Sequence, residues 1–271
     1  MKSYNQALKI LKKNKFEIND ENINSSESLN RVSSVNIYTN SDYPSANNAS
    51  FDGYAINSKD TNKLDKKIYQ KFKIVGSIAA GDKPIKKKFK KFETVEIMTG
   101  ALIPKFFDTI IPIEQINFYP NTKKAKYILI NKKFPKFEHV RFKGSDYKKG
   151  DLLISKGTIL KSNHILALKT LGIKKVKVKK KPNILFFSTG NEITNKSKIL
   201  DWEVRNSNCD YINSLKQNFL FNFKDGGILR DNQGSLFKSH ISKMLKSKID
   251  LIITSGAVSA GKFDFVPSVV N

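Results

Sequence analysis

The segment NNASFDGYA, residues 47–55, places one carboxylate, Asp52, between Phe51 and Gly53, with Tyr54 just after. Most other acids are diluted among lysines. A carboxylate in an apolar, glycine-hinged turn is costly to bury unless something pairs with it. Two readings are open: a turn Asp that bonds its own backbone, or a carboxylate that faces a ligand. Three further segments concentrate glycine, hydroxyl residues and acids: STGNE (188–192), LRDN (229–232) and TSGAVSAGKFDF (254–265). Gly256 and Gly261, with Ser255 and Ser259 beside and between them, let a backbone loop approach an anion closely. Taken singly, such a stretch is an ordinary turn. Three of them at successive strand ends point to a phosphate-bearing ligand.

These residues need elements to hold them. After Pro182 the pattern runs strand, helix, strand, helix, strand. NILFFSTG (183–190) is an apolar run ending in a glycine turn. NSNCDYINSLKQNFL (206–220) reads as one helix behind a good N-cap, and FKDGGILRDN (223–232) as strand and turn. QGSLFKSHISKMLKSK (233–248) reads as a second helix and IDLIITSG (249–256) as another apolar strand. Buried strands alternating with helices predict a parallel α/β sheet. Ligands bind such sheets at the carboxyl ends of the strands, where the three segments fall. Upstream, residues 36–140 carry β signals broken at short intervals by Gly, Pro, Asn and Asp, as in a small β domain. Residues 3–14 read as an amphipathic helix with Tyr4, Ala7, Leu8 and Leu11 on one side. A polar stretch follows to about residue 35. KKGDLLISKGTIL (148–160) reads as strand and turn, and NHILALKTLGI (163–173) as a helix ended by Gly172. The expected division is 1–35 with 141–181 as a discontinuous helical-β part, 36–140 as a β-rich domain and 182–271 as an α/β domain.

The chain of 271 residues, 39% hydrophobic and 11% aromatic, can bury a real core. No run approaches about 18 apolar residues, so no membrane span is expected. MKSYNQALKI lacks a signal-peptide core, and a soluble cytoplasmic protein is the expectation. The single cysteine, Cys209, excludes an internal disulfide and a multi-cysteine zinc site, and reads as a core residue. His139, His164 and His240 are scattered and suggest no histidine metal site. The net charge of +25 invites a nucleic-acid reading. Composition argues against a dedicated role of that kind. Of the 49 basic residues only four are arginine, Arg31, Arg141, Arg205 and Arg230, and base readers lean on the planar guanidinium. The chain is rich in lysine, asparagine, isoleucine and phenylalanine throughout, as an AT-biased genome would write it. KKKFKKF (86–92) and KKVKVKKKP (174–182) read as strands with one wet face. The surviving arginines point to places that need fork geometry.

Seven segments, SFDGYA (50–55), IMTGALIP (97–104), RFKGSDYKKGDLLISKGTIL (141–160), FFSTGNEI (186–193), RNSN (205–208), ILRDN (228–232) and SGAVSAGKFDF (255–265), come in a telling order. The chain resembles, over essentially its whole length, the molybdopterin molybdenumtransferases of the MoeA type, related to the E domain of gephyrin. The resemblance implies an elongated homodimer with a β-rich domain and a molybdopterin-binding-like parallel α/β domain. It implies insertion of molybdate into adenylylated molybdopterin, with Mg2+ present and AMP released. It also implies a pterin nucleotide as ligand and the molybdopterin adenylyltransferase as a candidate partner.

Carried over by motif, Asp52 matches the carboxylate that faces the active site across the dimer interface, and Thr99 the hydroxyl of the MTG turn. Asp146 matches the acid of RxxGxD. Glu192, Asp231 and Asp264 match the acids after STG, in RD and after the glycine-rich loop. These six are the catalytic candidates. Glu192 and Asp264 stand nearest the metal or nucleotide; Asp52, Thr99 and Asp146 close the site. Thr189, Gly190, Ser207, Asn208, Ser255, Gly256, Ser259 and Gly261 are the ligand-binding candidates, with Arg141 and Arg230 as oxyanion clamps. Cleaving a pyrophosphate makes sense of the set, because magnesium takes a few carboxylates plus phosphate oxygens. Without the family, Asp146 and Asp231 read equally well as turn caps or as ion-pair partners of Arg141 and Arg230.

The chain departs from the family at three points. Ala257 stands where the glycine-rich loop commonly has a second glycine, tolerable only if its φ is negative. Lys262 takes a position that is often acidic. After Asp264 the family continues with more helix, strand and a C-terminal β domain, so an incomplete chain is expected. The alternative function is a non-catalytic remnant or scaffold that binds molybdopterin and dimerises.

Overall fold

The computed structural model describes residues 3–65, 67–244, 246–258, 261 and 264–270. The chain is mixed α/β and divides into two compact units: Met1–Val35 with Lys156–Ile165 and Lys174–Asn271, and Asn36–Ser155 with Leu166–Ile173.

The second unit is built on a six-stranded sheet. Its strands lie in the order Thr109–Pro112, Gly53–Ile56, Glu93–Ile97, Gln70–Ile78, Tyr127–Ile130, Asn117–Tyr119. All neighbours run antiparallel except Gln70–Ile78 and Glu93–Ile97. Side chains alternate between faces, so a strand apolar at every position must be covered on both. GYAI shows this. Ala55 packs with Val95, Ile97 and Ile110 in one cluster, while Tyr54 and Ile56 pack with Phe72, Ile111 and Ile128 in another. Each fully buried aliphatic or phenyl side chain there contributes about 1.5–3 kcal/mol.

KKKFKKF corrects one expectation. Residues 86–92 form no strand; they are an irregular segment leading into Glu93–Ile97. Three consecutive lysines break the period-2 alternation, and Phe92 has φ +58, which no strand residue adopts. KKVKVKKKP behaves as expected. Lys175–Lys179 alternates exposed lysine with buried Val176 and Val178. Its partner is Asp20–Asn24, an antiparallel strand inside the polar stretch, which carried no apolar signal.

The first unit holds a parallel sheet, Asn222–Leu229, Asn183–Thr189, Leu251–Thr254, with the sequence-first strand in the centre. Leu185 and Phe187 point to one face, where Leu229, Phe237 and Phe265 complete a core. Gly226 is required by this packing: a β-carbon there would fall 2.4 Å from the Phe187 ring. The expected helix 206–220 is broken into Ser207–Ser214 and Lys216–Phe219. Its N-cap also fails, because Asn206 makes no side-chain cap bond; its amide oxygen instead accepts the Ser188 hydroxyl. Gly172 ends the helix Ser162–Thr170 as expected, with φ +68 and the Ile173 N–H returning to Leu168. The helix Tyr4–Lys13 forms behind a Ser3–Gln6 capping box, yet buries none of its residues. Among the described residues no helix is long and apolar enough to cross a membrane.

Candidate functional site

The candidates fall into two groups, one in each unit. In the second unit Asp52 ends a turn that the backbone dictates. A β-carbon on Gly53 would lie 2.0 Å from the Ile111 carbonyl oxygen, so only glycine fits. Asp52 Oδ1 accepts the Thr99 backbone N–H at 2.6 Å and the Thr99 hydroxyl at 2.7 Å. These two bonds, the backbone one first, hold its carboxyl below the usual carboxylate range. Asp52 therefore bonds a turn 47 residues away rather than its own backbone, and Oδ2 has no hydrogen bond among the described residues. Asp146 is paired with the Arg141 guanidinium and accepts the Ser145 hydroxyl at 3.0 Å. The Arg141 bond lowers the Asp146 pKa, and the same bond raises that of Arg141. Both pairs converge on Asn48–Ala49. Ala49 accepts the Gly100 N–H at 2.8 Å, Asn48 donates to the Gly100 carbonyl at 2.6 Å, and Arg141 stands opposite Asn48 in a short ladder.

In the first unit the ends of the parallel strands are laced together. The Thr189 N–H donates to Ser255 Oγ at 3.4 Å, Ser255 N–H to the Phe187 carbonyl at 3.1 Å, and Gly190 N–H to the Leu229 carbonyl at 3.0 Å. Gly256 passes so close to Thr189 that a β-carbon would lie 2.7 Å from its hydroxyl. That hydroxyl is buried and has no hydrogen-bond partner among the described residues. An unsatisfied buried hydroxyl costs about 1–3 kcal/mol. Glu192 folds back over Gly190, whose φ is +137, and its exposed carboxylate makes no ion pair or hydrogen bond among the described residues. Asp264 Oδ2 accepts the Gly261 N–H at 2.8 Å. Ser207 and Asn208 open the helix Ser207–Ser214, directly after the Asn206 that holds Ser188. Ser259 lies outside the described residues.

Arg230 and Asp231 do not pair with each other. Arg230 Nη1 lies 2.7 to 3.1 Å from the carbonyls of Gly190, Asn191 and Ile193. It thereby ties the STGNE loop to the neighbouring strand. Asp231 instead accepts Asn191 Nδ2 at 2.8 Å and donates its N–H to Asn191 Oδ1 at 3.3 Å. Asn191 and Asn206 are the organising residues that sequence reasoning passed over; an Asn just beyond a strand end was the available signal. So was Glu203, buried, whose carboxylate accepts the Leu200 N–H at 2.9 Å and Lys196 at 3.1 Å and stands below its usual pKa through those bonds. Ala257 overturns the expectation of a negative φ: its φ is +59. The left-handed conformation costs a non-glycine residue about 1–2 kcal/mol, so the loop holds the glycine geometry without the glycine. Cys209 is buried, and that burial, with Asp225 beside it, pushes its thiol to about 11, too high for a reactive thiolate.

Among the described residues no group of three or more His, Cys, Asp or Glu side chains could hold a metal ion. The donor set does fit magnesium arriving with a substrate, which needs only one or two carboxylates beside phosphate oxygens. The Glu192 carboxylate, unpaired among the described residues, is such a donor, and Asp264 Oδ1 makes no hydrogen bond among them.

Two family profiles account for most of the chain. One, described as the MoeA N-terminal region (domain I and II), matches residues 2–172. The other, a probable molybdopterin binding domain, matches 186–271. A molybdopterin molybdenumtransferase from Staphylococcus epidermidis is 32% identical over 269 residues, covering 98% of this chain and 62% of that protein. One from Staphylococcus aureus is 32% identical over 245 residues, covering 90% and 56%. Two solved structures of a molybdopterin biosynthesis MoeA protein from Pyrococcus horikoshii superpose with TM-scores of 0.83 and 0.82, at 30% and 28% identity. They cover 98% and 93% of this chain and 65% and 66% of theirs. The chain thus spans about three-fifths of the length of the relatives it matches. On the profile matched over residues 2–172, and with the strand-end loops formed as described, the chain belongs to the MoeA family.

Proposed function

We propose that this chain carries the substrate-binding loops and carboxylates of a molybdopterin molybdenumtransferase, acting in molybdenum cofactor biosynthesis. The substrate is adenylylated molybdopterin. Molybdate is inserted, the phosphoanhydride to AMP is cleaved, and AMP leaves. The observation that carries the reading is the buried Thr189 hydroxyl against Gly256 at the parallel strand ends, without a hydrogen-bond partner among the described residues, with the Glu192 carboxylate, likewise unpaired among them, three residues on in the same loop. A phosphate-bearing pterin would supply the missing hydrogen-bond partner. Ser255 and Gly256 approach the phosphate, and Arg230 keeps the STGNE loop in position. Glu192 and Asp264 are the residues that would hold Mg2+, which offsets phosphate charge when bound. Asp52, Thr99 and Asp146 complete the site from the β-rich part, which the reading places in a homodimer with Asp52 serving the partner's loops.

AMP release from adenylylated molybdopterin on adding molybdate, in protein from its native source, tests this. Glu192→Ala and Asp52→Ala should each lower the rate at least 100-fold. Mixing the two variants should restore about a quarter of it through mixed dimers. Unchanged AMP release in both variants would sink the assignment. Binding without release would favour the non-catalytic scaffold.

A further inference from the structure

The second unit contains a cleft of about 1120 Å³ that none of the candidate site residues lines. It lies between the irregular segment 82–90 and the turn around Pro104–Asp108. Its volume lies just above the range usual for small-molecule sites, roughly 300–1,000 Å³, which leaves room for an extended ligand. Seven of its 24 lining residues are lysine, a larger share than the 49 basic residues of 271 in the whole chain.

The charge there is not neutralised. Two carboxylates, Asp82 and Asp108, stand against seven lysines, of which Lys143 pairs with Asp42. Asp82 accepts the Ala79 N–H at 2.7 Å, and Asp108 accepts the Ser58 N–H and hydroxyl at 2.7 and 3.0 Å. Among the described residues Lys59, Lys83, Lys87, Lys88 and Lys105 make no ion pair. One wall is aromatic. Phe89, Phe106 and Phe107 meet with centroids 4.6 to 6.0 Å apart. Phe107 is buried, while Phe89 and Phe106 are partly buried, packed against the core and lining the cleft. Lys87 Nζ already stands 5.9 Å from the Phe89 ring centroid, so a lysine-rich rim meets partly exposed phenyl rings, a combination that recognises a polyanion attached to a flat ring. Lysine acts as a point charge on phosphate, and bases stack on aromatic side chains. We propose that this cleft binds a nucleoside triphosphate, with the phosphates among Lys83, Lys87 and Lys88 and the base on Phe89 and Phe106. This proposal stands independently of the strand-end site in the other unit.

The test is equilibrium displacement of a fluorescent ATP analogue from the full chain by ATP, adenosine, inorganic tripolyphosphate and a single-stranded oligodeoxythymidine. The expected result is one saturable site at which ATP competes at least tenfold better than tripolyphosphate or adenosine, and better per molecule than the oligonucleotide. Lys87→Glu/Lys88→Glu should weaken ATP at least tenfold. Lys123→Glu/Lys124→Glu, an equal charge change on an exposed turn outside the cleft, should change it less than twofold. Phe106→Leu, which keeps apolar volume but loses the stacking face, should weaken ATP and leave tripolyphosphate unchanged. Equal losses in the two lysine pairs would mean diffuse attraction to a basic protein and overturn the proposal. So would tripolyphosphate matching ATP, or the oligonucleotide displacing the probe at far lower concentration, the latter pointing to single-stranded nucleic acid instead.

Discussion

The two groups of candidate residues use the same side-chain types in opposite ways. In the β-rich unit the acids already have partners: Asp52 holds Thr99, and Asp146 holds Arg141. In the α/β unit two such groups are left open: among the described residues Thr189 Oγ1 lacks a hydrogen-bond partner and Glu192 makes no ion pair, while glycines clear the space around them. The first arrangement is a preorganised edge whose geometry the protein maintains by itself. On the proposed function, the second is a receptor that a ligand would complete. Glycine marks the contrast. At Gly53 it admits another backbone, whereas at Gly256 it admits a hydroxyl and the space beyond.

Substitutions can break the comparison, beginning with the largest effect. Gly53→Ala drives a β-carbon into a carbonyl 2.0 Å away and should cost about 3–5 kcal/mol. Thermal unfolding followed by circular dichroism would show it, and an unchanged midpoint would remove the packing argument. Arg230→Ala frees three carbonyls from one guanidinium and should cost about 2 kcal/mol. Faster hydrogen exchange confined to residues 189–194 and 229–232 would locate the loss in the strand-end loops. Ala257→Gly removes the left-handed penalty of φ +59 and should stabilise by about 1 kcal/mol. Denaturant midpoints would reveal the opposite sign if the alanine were unstrained.

The smallest effect concerns acid. Asp52 and Asp146 have folded-state pKa values below the ordinary 3.8. Their contribution is therefore present above that ordinary value and is lost as pH falls through the folded values. Thr99→Val removes the hydroxyl bond but keeps the backbone one. It should move the acid-unfolding midpoint of the β-rich unit to slightly higher pH. A midpoint moved to lower pH would contradict the sign.

Legibility in the sequence follows the same divide. The parallel sheet was readable because NILFFSTG and IDLIITSG each carry an unbroken apolar run, 184–187 and 251–253, ahead of a glycine turn, and Gly172 ends its helix where expected. The six-stranded sheet was readable in outline, though not the doubly buried GYAI, whose coverage depends on distant partners. The strand Asp20–Asn24 was invisible because its pairing with Lys175–Lys179 rests on backbone bonds and charge rather than apolar alternation. At the site, residue types identified the loops but not who holds whom. Asp231 goes to Asn191 and Arg230 to three carbonyls, although adjacent acid and base suggest a pair. Asn206 left its helix cap for Ser188 because a strand-end hydroxyl lay within reach. These are tertiary choices among equivalent hydrogen-bonding groups, which local sequence does not rank.

The central claim is that the strand-end loops form a receptor that a phosphate-bearing pterin completes. It is tested most directly by titrating adenylylated molybdopterin into the parent chain and Gly256→Ala. Trp202, the single tryptophan, lies in the sequence between the STGNE loop and the helix Ser207–Ser214, is exposed, and serves as the fluorescence probe. The account predicts saturable binding to the parent and at least a tenfold loss in Gly256→Ala, measured at a temperature where circular dichroism shows both proteins folded. Equal affinity in the two proteins would contradict it.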